Sequence, residues 1–436
     1  MTSTPARQSA DQIDRQPDPR RRHFLAGAAA AAAAAPFAPQ VLAGTAKATA
    51  APPAASQVEP FRGTHQAGIA TPIQRHTYFI AFDLVTDSRD ALVKLLQDWT
   101  KAAAQMTAGP ARFDPKADPG QPSEESGAAV GLPVSRLTVT FGFGATLFEK
   151  DGQNPFGLAK HRPEALVDLP RFVGDQLAPD RTGGDLSVQA CADDPQVVEY
   201  AVRRLAMLAR GTAVMRWAQM GFTGGFKPGE TGRNQMGFLD GTMNVPTHQA
   251  KAMDQFVWVR EEGPAWLRNG SYMVIRPIRI SLEHWDEMKV AFQEESVGRH
   301  KASGAPIGKR GEFDPLDLER TDKDGNPVVA ENSHAAMAAP ENNDGAQILR
   351  RAFNYDNGIA KIAERWPPWR QLVTFDAGLL FQCYQKDPRT GFIKLYTKMA
   401  QIDMLNQFTT HTGSGLFACP PGVGPGEFIG QSLFEA

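Results

Sequence analysis

Two stretches of this chain, 193 residues apart, read alike: LSVQACADDP carries Leu186, Gln189, Asp194 and Pro195, and LLFQCYQKDP carries Leu379, Gln382, Asp387 and Pro388 in the same register. Tyr78 in HTYFIAF and Tyr272 in GSYMVIRPI open a second matched pair of apolar runs, at an offset of 194. Self-similarity at long period is the mark of a duplicated supersecondary unit, so the chain is expected to fold as two copies of one plan.

The plan can be read from the first copy. HTYFIAFDL is rich in aromatic and β-branched residues, and after Thr86-Asp87-Ser88 the apolar positions change to helical spacing at Ala91, Leu92, Leu95, Leu96 and Trp99. LTVTFGFGATLF reads as a strand ending at glycines, GDLSVQACADDPQVVEYAVRRLAMLAR as strand, Asp-containing turn and helix, and TAVMRWAQMGF as a closing strand. The order β-α-β-β-α-β is the ferredoxin-like pattern. The expected fold class is α+β, with one ferredoxin-like half over residues 65–232 and a second over 233–436. Hydrophobic residues at 42% and charged residues at 22% are ordinary globular amounts, which rules out a disordered or fibrous chain.

The formal net charge is −2 and no long basic run lies beyond the N-terminal leader, so the footprint of a nucleic-acid binder is missing. In the leader, Arg20, Arg21 and Arg22 precede Phe24 and Leu25, an alanine-rich stretch follows, and Val41-Leu42-Ala43 offers small residues for cleavage. The stretch is too short and too weakly apolar for a stable membrane span. Residues 1–43 resemble a twin-arginine export signal, Arg21-Arg22-His23-Phe24-Leu25 standing for its core, which predicts a periplasmic or otherwise extracytoplasmic protein. That route carries folded proteins and so hints at a cofactor inserted before export. Residues 44–64, rich in Pro, Ala and Ser, read as a mobile linker. Cys191, Cys383 and Cys419 lack C-x-x-C spacing and read as buried small hydrophobes, or at most one bridge.

Familiar catalytic motifs are missing. No H-E-x-x-H or close His/Cys cluster supports zinc, no C-x-x-C-H supports a covalent haem, and neither a nucleophile elbow nor a P-loop or dinucleotide glycine motif stands in its required context. What remains is scattered: Asp240 between glycines in GFLDGT, His334 in a Gly/Pro/Asn/Asp-rich insertion over about residues 297–345, and Arg350-Arg351 in ILRRAFNY. An Asp in a glycine turn is by itself a turn former, and long irregular insertions are either functional or disordered.

GFLDGT is an instance of the G-x-x-D-G signature of the dye-decolourising peroxidases, and the likeness extends further. RNQMGFLDGTMNV, GSYMVIRPIRI, QEESVGRHKASGAPIG, NSHAAMAAPEN, ILRRAFNY and HTGSGLFACPPG resemble that family's blocks in the right order, nearest to its exported, iron-transport-associated deferrochelatase branch. The resemblance implies two ferredoxin-like units forming an α+β barrel with a haem b pocket. It puts His334 in the place of the proximal iron ligand, Asp240 in that of the distal acid and Arg350 in that of the distal arginine. Arg351, Gly237, Gly241 and Thr242 are then expected around the cofactor, Arg351 on a propionate and the glycines where backbone passes close to the porphyrin. One neutral imidazole on the iron leaves the sixth position open to hydrogen peroxide. A carboxylate in reach can move a proton between the two peroxide oxygens, and a guanidinium that never deprotonates keeps that carboxylate ionised.

Two positions depart from the family pattern. Ala336 stands where an Arg often follows the proximal His, and the acid that bonds that His is best matched by Gln407, with Asp403 one turn earlier. The implied partners are hydrogen peroxide and an aromatic or dye-like reductant, with an iron-uptake complex and a homodimer left open. The alternative function is haem or iron handling, in which the same pocket delivers iron to an uptake system.

Overall fold

The structure, a computed structural model, describes residues 58–113, 118, 120, 123, 125–226, 229–363 and 371–436. The export signal and most of the expected linker therefore lie outside the described residues. The last linker residues are held rather than mobile: Phe61 is buried and Arg136 Nε donates to Glu59 at 2.9 Å. Phe61 supplies the reason, since an aromatic ring at the end of a Pro/Ala segment gains by joining the core.

The first half is β1 (His76–Leu84), a helix over Arg89–Ala108, β2 (Thr138–Gly144), β3 (Leu186–Ala192), a helix over Pro195–Leu208 and β4 (Ala213–Phe222). The second brings β5 (Ser271–Ile280), short helices Leu282–Asp286 and Val290–Val297, β6 (Leu349–Arg350), β7 (Phe353–Ala363), β8 (Gln371–Gln385), a helix over Phe392–Ile402, β9 (Thr409–His411) and β10 (Gly415–Cys419). Helix starts are where the sequence signals them: Ser88 accepts from Ala91 N–H, and Asp194 accepts from Gln196 and Val197 N–H with Pro195 next to it.

The strand order of the first half is β4-β1-β3-β2, and that of the second is β10-β5-β8-β7. Counted within each half these are one order, the ferredoxin-like one, so the repeat is real at the level of topology. The halves join twice: β2 pairs with β10 through Gly144 and Phe417, and β4 pairs with β7 through Phe222 and Asn354. Two such seams close the eight strands into a barrel, which leaves neither half with a free sheet edge at the joins.

The barrel interior carries Phe79, Trp217, Met273, Leu380, Tyr384 and Phe417. At its centre the repeat-related glutamines meet. Gln189 Nε2 donates to Gln382 Oε1 at 2.5 Å, Gln382 Nε2 donates back to Gln189 Oε1 at 2.7 Å, and Tyr384 Oη also donates to Gln189 at 2.6 Å. A buried amide must be paired, and the duplication supplies each with its own counterpart. The three cysteines are free and buried.

Candidate active site

GFLDGT forms a turn between β4 and the helix Ala250–Phe256. Asn234 organises it: Oδ1 accepts from Met236 N at 3.1 Å and Phe238 N at 3.2 Å, while Nδ2 donates to Asp240 Oδ2 at 3.4 Å. Gly237 and Gly241 have φ of +84° and +106°, left-handed values that glycine adopts at little cost. Beneath the turn, Met236 and Phe238 pack with Ile280, Trp285 and Phe408, and Trp285 Nε1 donates to Met236 O at 3.1 Å. An apolar anchor thus fixes where the carboxylate stands.

Arg350 arrives on β6, paired with β8 opposite Cys383, with its guanidinium 6.0 Å from the Phe381 ring centre. Asn244 clamps its backbone, donating to Arg350 O at 2.7 Å and accepting from Arg350 N at 2.8 Å. Arg350 Nη2 donates to Asp240 Oδ1 in a close ion pair, and its buried Nε has no partner among the described residues. Alternation along β5 and β8 puts half-buried Ile278, Leu379 and Phe381 on the same sheet face, a flat apolar wall.

His334 opens the short helix His334–Ala338, whose last carbonyls accept from the side-chain amides of Asn342 and Asn343 at 2.7–2.8 Å. His334 Nδ1 donates to Asp403 Oδ2 at 2.7 Å, and the other Asp403 oxygen accepts from Leu405 N at 2.9 Å. Burial is the largest influence on the imidazole and lowers its pKa, but the charge and hydrogen bond of Asp403 outweigh it and raise the result above 6.5. Arg350 acts on the same titration downward and Asp240 upward, so the ion pair and the histidine share one region. The His334 side chain keeps 37% of its surface accessible, so the ring is open on the side not turned to Asp403.

These groups fit a porphyrin-borne iron. With Nδ1–H fixed on a carboxylate, Nε2 presents its lone pair, the arrangement of a metal-binding imidazole with its outer partner. Among the described residues no group of three or more His, Cys, Asp or Glu could hold a free ion, so a metal here must bring its other ligands with it. A Cβ added at Gly241 would meet nothing within 4 Å, leaving backbone bare beside Asp240.

Several expected site residues are used otherwise. Arg351 points away from Asp240: its guanidinium donates to Thr71 O and Gln74 Oε1, because adjacent residues of an extended chain face opposite sides. Gly237 lies against Lys301, whose Cε would be 2.8 Å from an added Cβ. Thr242 Oγ1 donates to Glu312 Oε1 at 3.0 Å, and Thr231 donates to the same oxygen, so an insertion residue ties both ends of the turn. The partner of His334 is Asp403 and not Gln407, whose amide donates to Met404 O. Ala336 is fully buried, leaving no room for a cationic side chain. Asn234 and Asn244 escaped the sequence reading; the one available signal was their position flanking GFLDGT.

The N-terminal profile of Dyp-type peroxidases matches residues 66–223 and the C-terminal profile residues 231–424. The chain belongs to the dye-decolourising peroxidase family. Among relatives, it is 37% identical to a dye-decolorizing peroxidase of Thermobifida fusca, covering 85% of this chain and 84% of that one. It is 32% identical to the deferrochelatase of Escherichia coli K12, over 96% of this chain and 97% of that one. A DyP-type peroxidase of Streptomyces coelicolor superposes with a TM-score of 0.77 at 38% identity, covering 87% and 98% of the two chains. DtpA of Streptomyces lividans, solved as an oxyferrous complex, gives the same TM-score at 39% identity and the same coverage.

Proposed function

We propose that Asp240, Arg350 and His334 carry out the reaction of this haem peroxidase, with hydrogen peroxide as oxidant and a bulky aromatic or dye-like molecule as reductant. The observation that carries the reading is the Asp240–Arg350 ion pair in the same region as the open Nε2 edge of His334. His334 Nε2 would hold the iron of haem b, and Asp403 would hold its Nδ1–H and keep the ring rich in electrons. When bound, haem supplies an iron that accepts oxygen from peroxide and then electrons from the donor.

The chain's own residues handle the protons. Asp240 takes the proton from the near oxygen of peroxide and returns it to the far one, so the O–O bond breaks with water as the leaving group. Arg350 favours the ionised carboxylate and stabilises the charge that gathers on the departing oxygen. Ile278, Leu379 and Phe381 offer apolar surface to a flat macrocycle. The test is the absorption spectrum of purified protein before and after an equimolar amount of hydrogen peroxide. A Soret band that changes within the mixing time supports the reading, and one that does not respond refutes it.

The leader over residues 1–43 supports twin-arginine export to the periplasm. Among the described residues no helix is long and apolar enough to cross a membrane. Replacing Arg21 and Arg22 by Lys should hold the protein in the cytoplasm, and unchanged fractionation would refute the route. Likeness to deferrochelatases supports a second reading in which iron is removed for an uptake complex; porphyrin recovered intact after iron release is its test. Exposed Ile359, Val373 and Phe375 share one face of the β7–β8 hairpin and support a homodimer, which sedimentation would check.

A further inference from the structure

Inside the barrel, Tyr355 of β7 pairs with Gly378 of β8, and Gly378 pairs in turn with Arg279 of β5. Paired residues share a sheet face and neighbouring strands lie about 4.8 Å apart, so a phenol and a guanidinium flank a position without a side chain. Only glycine fits there, because a Cβ would lie 2.0 Å from Ile278 O. This is the inner face: Leu380 and Tyr384, on the same side of β8, pack with Phe79 and Phe417 in the barrel interior. Arg350, opposite Cys383, lies on the outer face. The row is therefore on the opposite face of the sheet from Arg350.

Donors outnumber acceptors in this end of the barrel. Arg181 Nη2 donates to Gln219 Oε1 at 2.6 Å, Gln219 Nε2 to Asn357 Oδ1 at 3.0 Å, and Asn357 Nδ2 to Asp376 Oδ2 at 3.0 Å. Asp376, Arg181 and Arg279 are all near enough to act on the Tyr355 phenol. Arg279 is half-buried, yet its guanidinium makes no hydrogen bond or ion pair with any described residue. The Tyr355 hydroxyl is fully buried and likewise has no partner among the described residues. Two guanidinium groups against one carboxylate leave a positive charge uncompensated, which is costly away from water. Exposure falls from Asn357 through Arg181 and Arg279 to Tyr355, so the cluster is open to solvent at one end and closed at the other.

We propose that this cluster is a binding site for a small carboxylate-like monoanion, held by the Arg279 guanidinium and the Tyr355 hydroxyl, with Arg181 supplying the second positive charge. A planar carboxylate matches the fork of a guanidinium and leaves an oxygen for the phenol. The site stands independently of the roles given to Asp240, Arg350 and His334, being on the other face of the sheet. Formate is the probe, and the target is the holoenzyme with cyanide on the iron, so that formate cannot compete there. Calorimetry at neutral pH should give saturable binding of one formate per chain. Arg279→Gln should weaken it about tenfold or more, as the loss of a charge-assisted hydrogen bond does, and Tyr355→Phe should weaken it less, with the Soret band of both variants unchanged. No saturable binding to the parent protein, or equal binding to parent and both variants, overturns the proposal. Loss of the Soret band in Arg279→Gln also overturns it, since the carboxylate would then be the cofactor's own. Should Arg279→Gln fail to fold, Tyr355→Phe decides the matter alone.

Discussion

Replacing Asp240 by Asn removes a charge and a proton carrier while leaving the shape of the turn in place. The new side chain keeps an oxygen for Arg350 Nη2, and the turn is still held by Asn234, Trp285 and the backbone bond from residue 240 N to Gly232 O at 2.8 Å. The ion pair is part exposed, 28% on Arg350 and 18% on Asp240, so losing it should change stability by no more than about 1 kcal/mol. The catalytic loss should be far larger. A positioned acid–base group is worth roughly 10²–10⁴-fold in rate, or about 3–5 kcal/mol of barrier at 1.36 kcal/mol per decade. The assay is stopped-flow mixing with hydrogen peroxide, following the Soret band under pseudo-first-order conditions. A fall of less than about tenfold, with haem content and resting spectrum unchanged, would refute proton transfer by Asp240, since a group that far below the usual range is not carrying the step.

Other residues give separate tests. His334→Ala should leave the folded protein without tightly held haem, and unchanged haem content in pyridine extracts would remove it as ligand. Because Asp403 raises the His334 pKa above 6.5, the proton competes with iron for the imidazole from a higher pH. Haem uptake by apoprotein should thus weaken as pH falls through that raised value, and Asp403→Asn should move the loss to lower pH while raising the iron reduction potential; no movement in either would refute the pairing. Glu312→Gln should loosen both threonine contacts to the turn and lower the peroxide rate several-fold with haem retained, and an unchanged rate would make the insertion a bystander. Gln382→Leu leaves Gln189 and Tyr384 without a shared partner inside the barrel and should cost about 1–3 kcal/mol in denaturant unfolding.

The sequence by itself determined the plan of each half. Strand and helix periodicity, the Ser88 and Asp194 caps and the offset between Gln189 and Gln382 are local or repeated signals, and each corresponds to an element or pairing in the fold. The resemblance implied a barrel, but periodicity could not say which strands close it, because the β2–β10 and β4–β7 seams join strands with no shared sequence mark. The chemical residue types were legible through the GFLDGT, NSHAAM and ILRR blocks, but their partners were not. Arg350 and Arg351 are neighbours in sequence and are told apart only by which side of the strand meets Asp240 and which meets Thr71 and Gln74. Asp403 prevails over Gln407 for a similar reason: the turn that follows the helix Phe392–Ile402 aims one side chain at His334 and leaves the other donating to Met404 O. Residue types follow from what the chemistry needs, whereas pairs follow from direction in space, which only the tertiary packing sets.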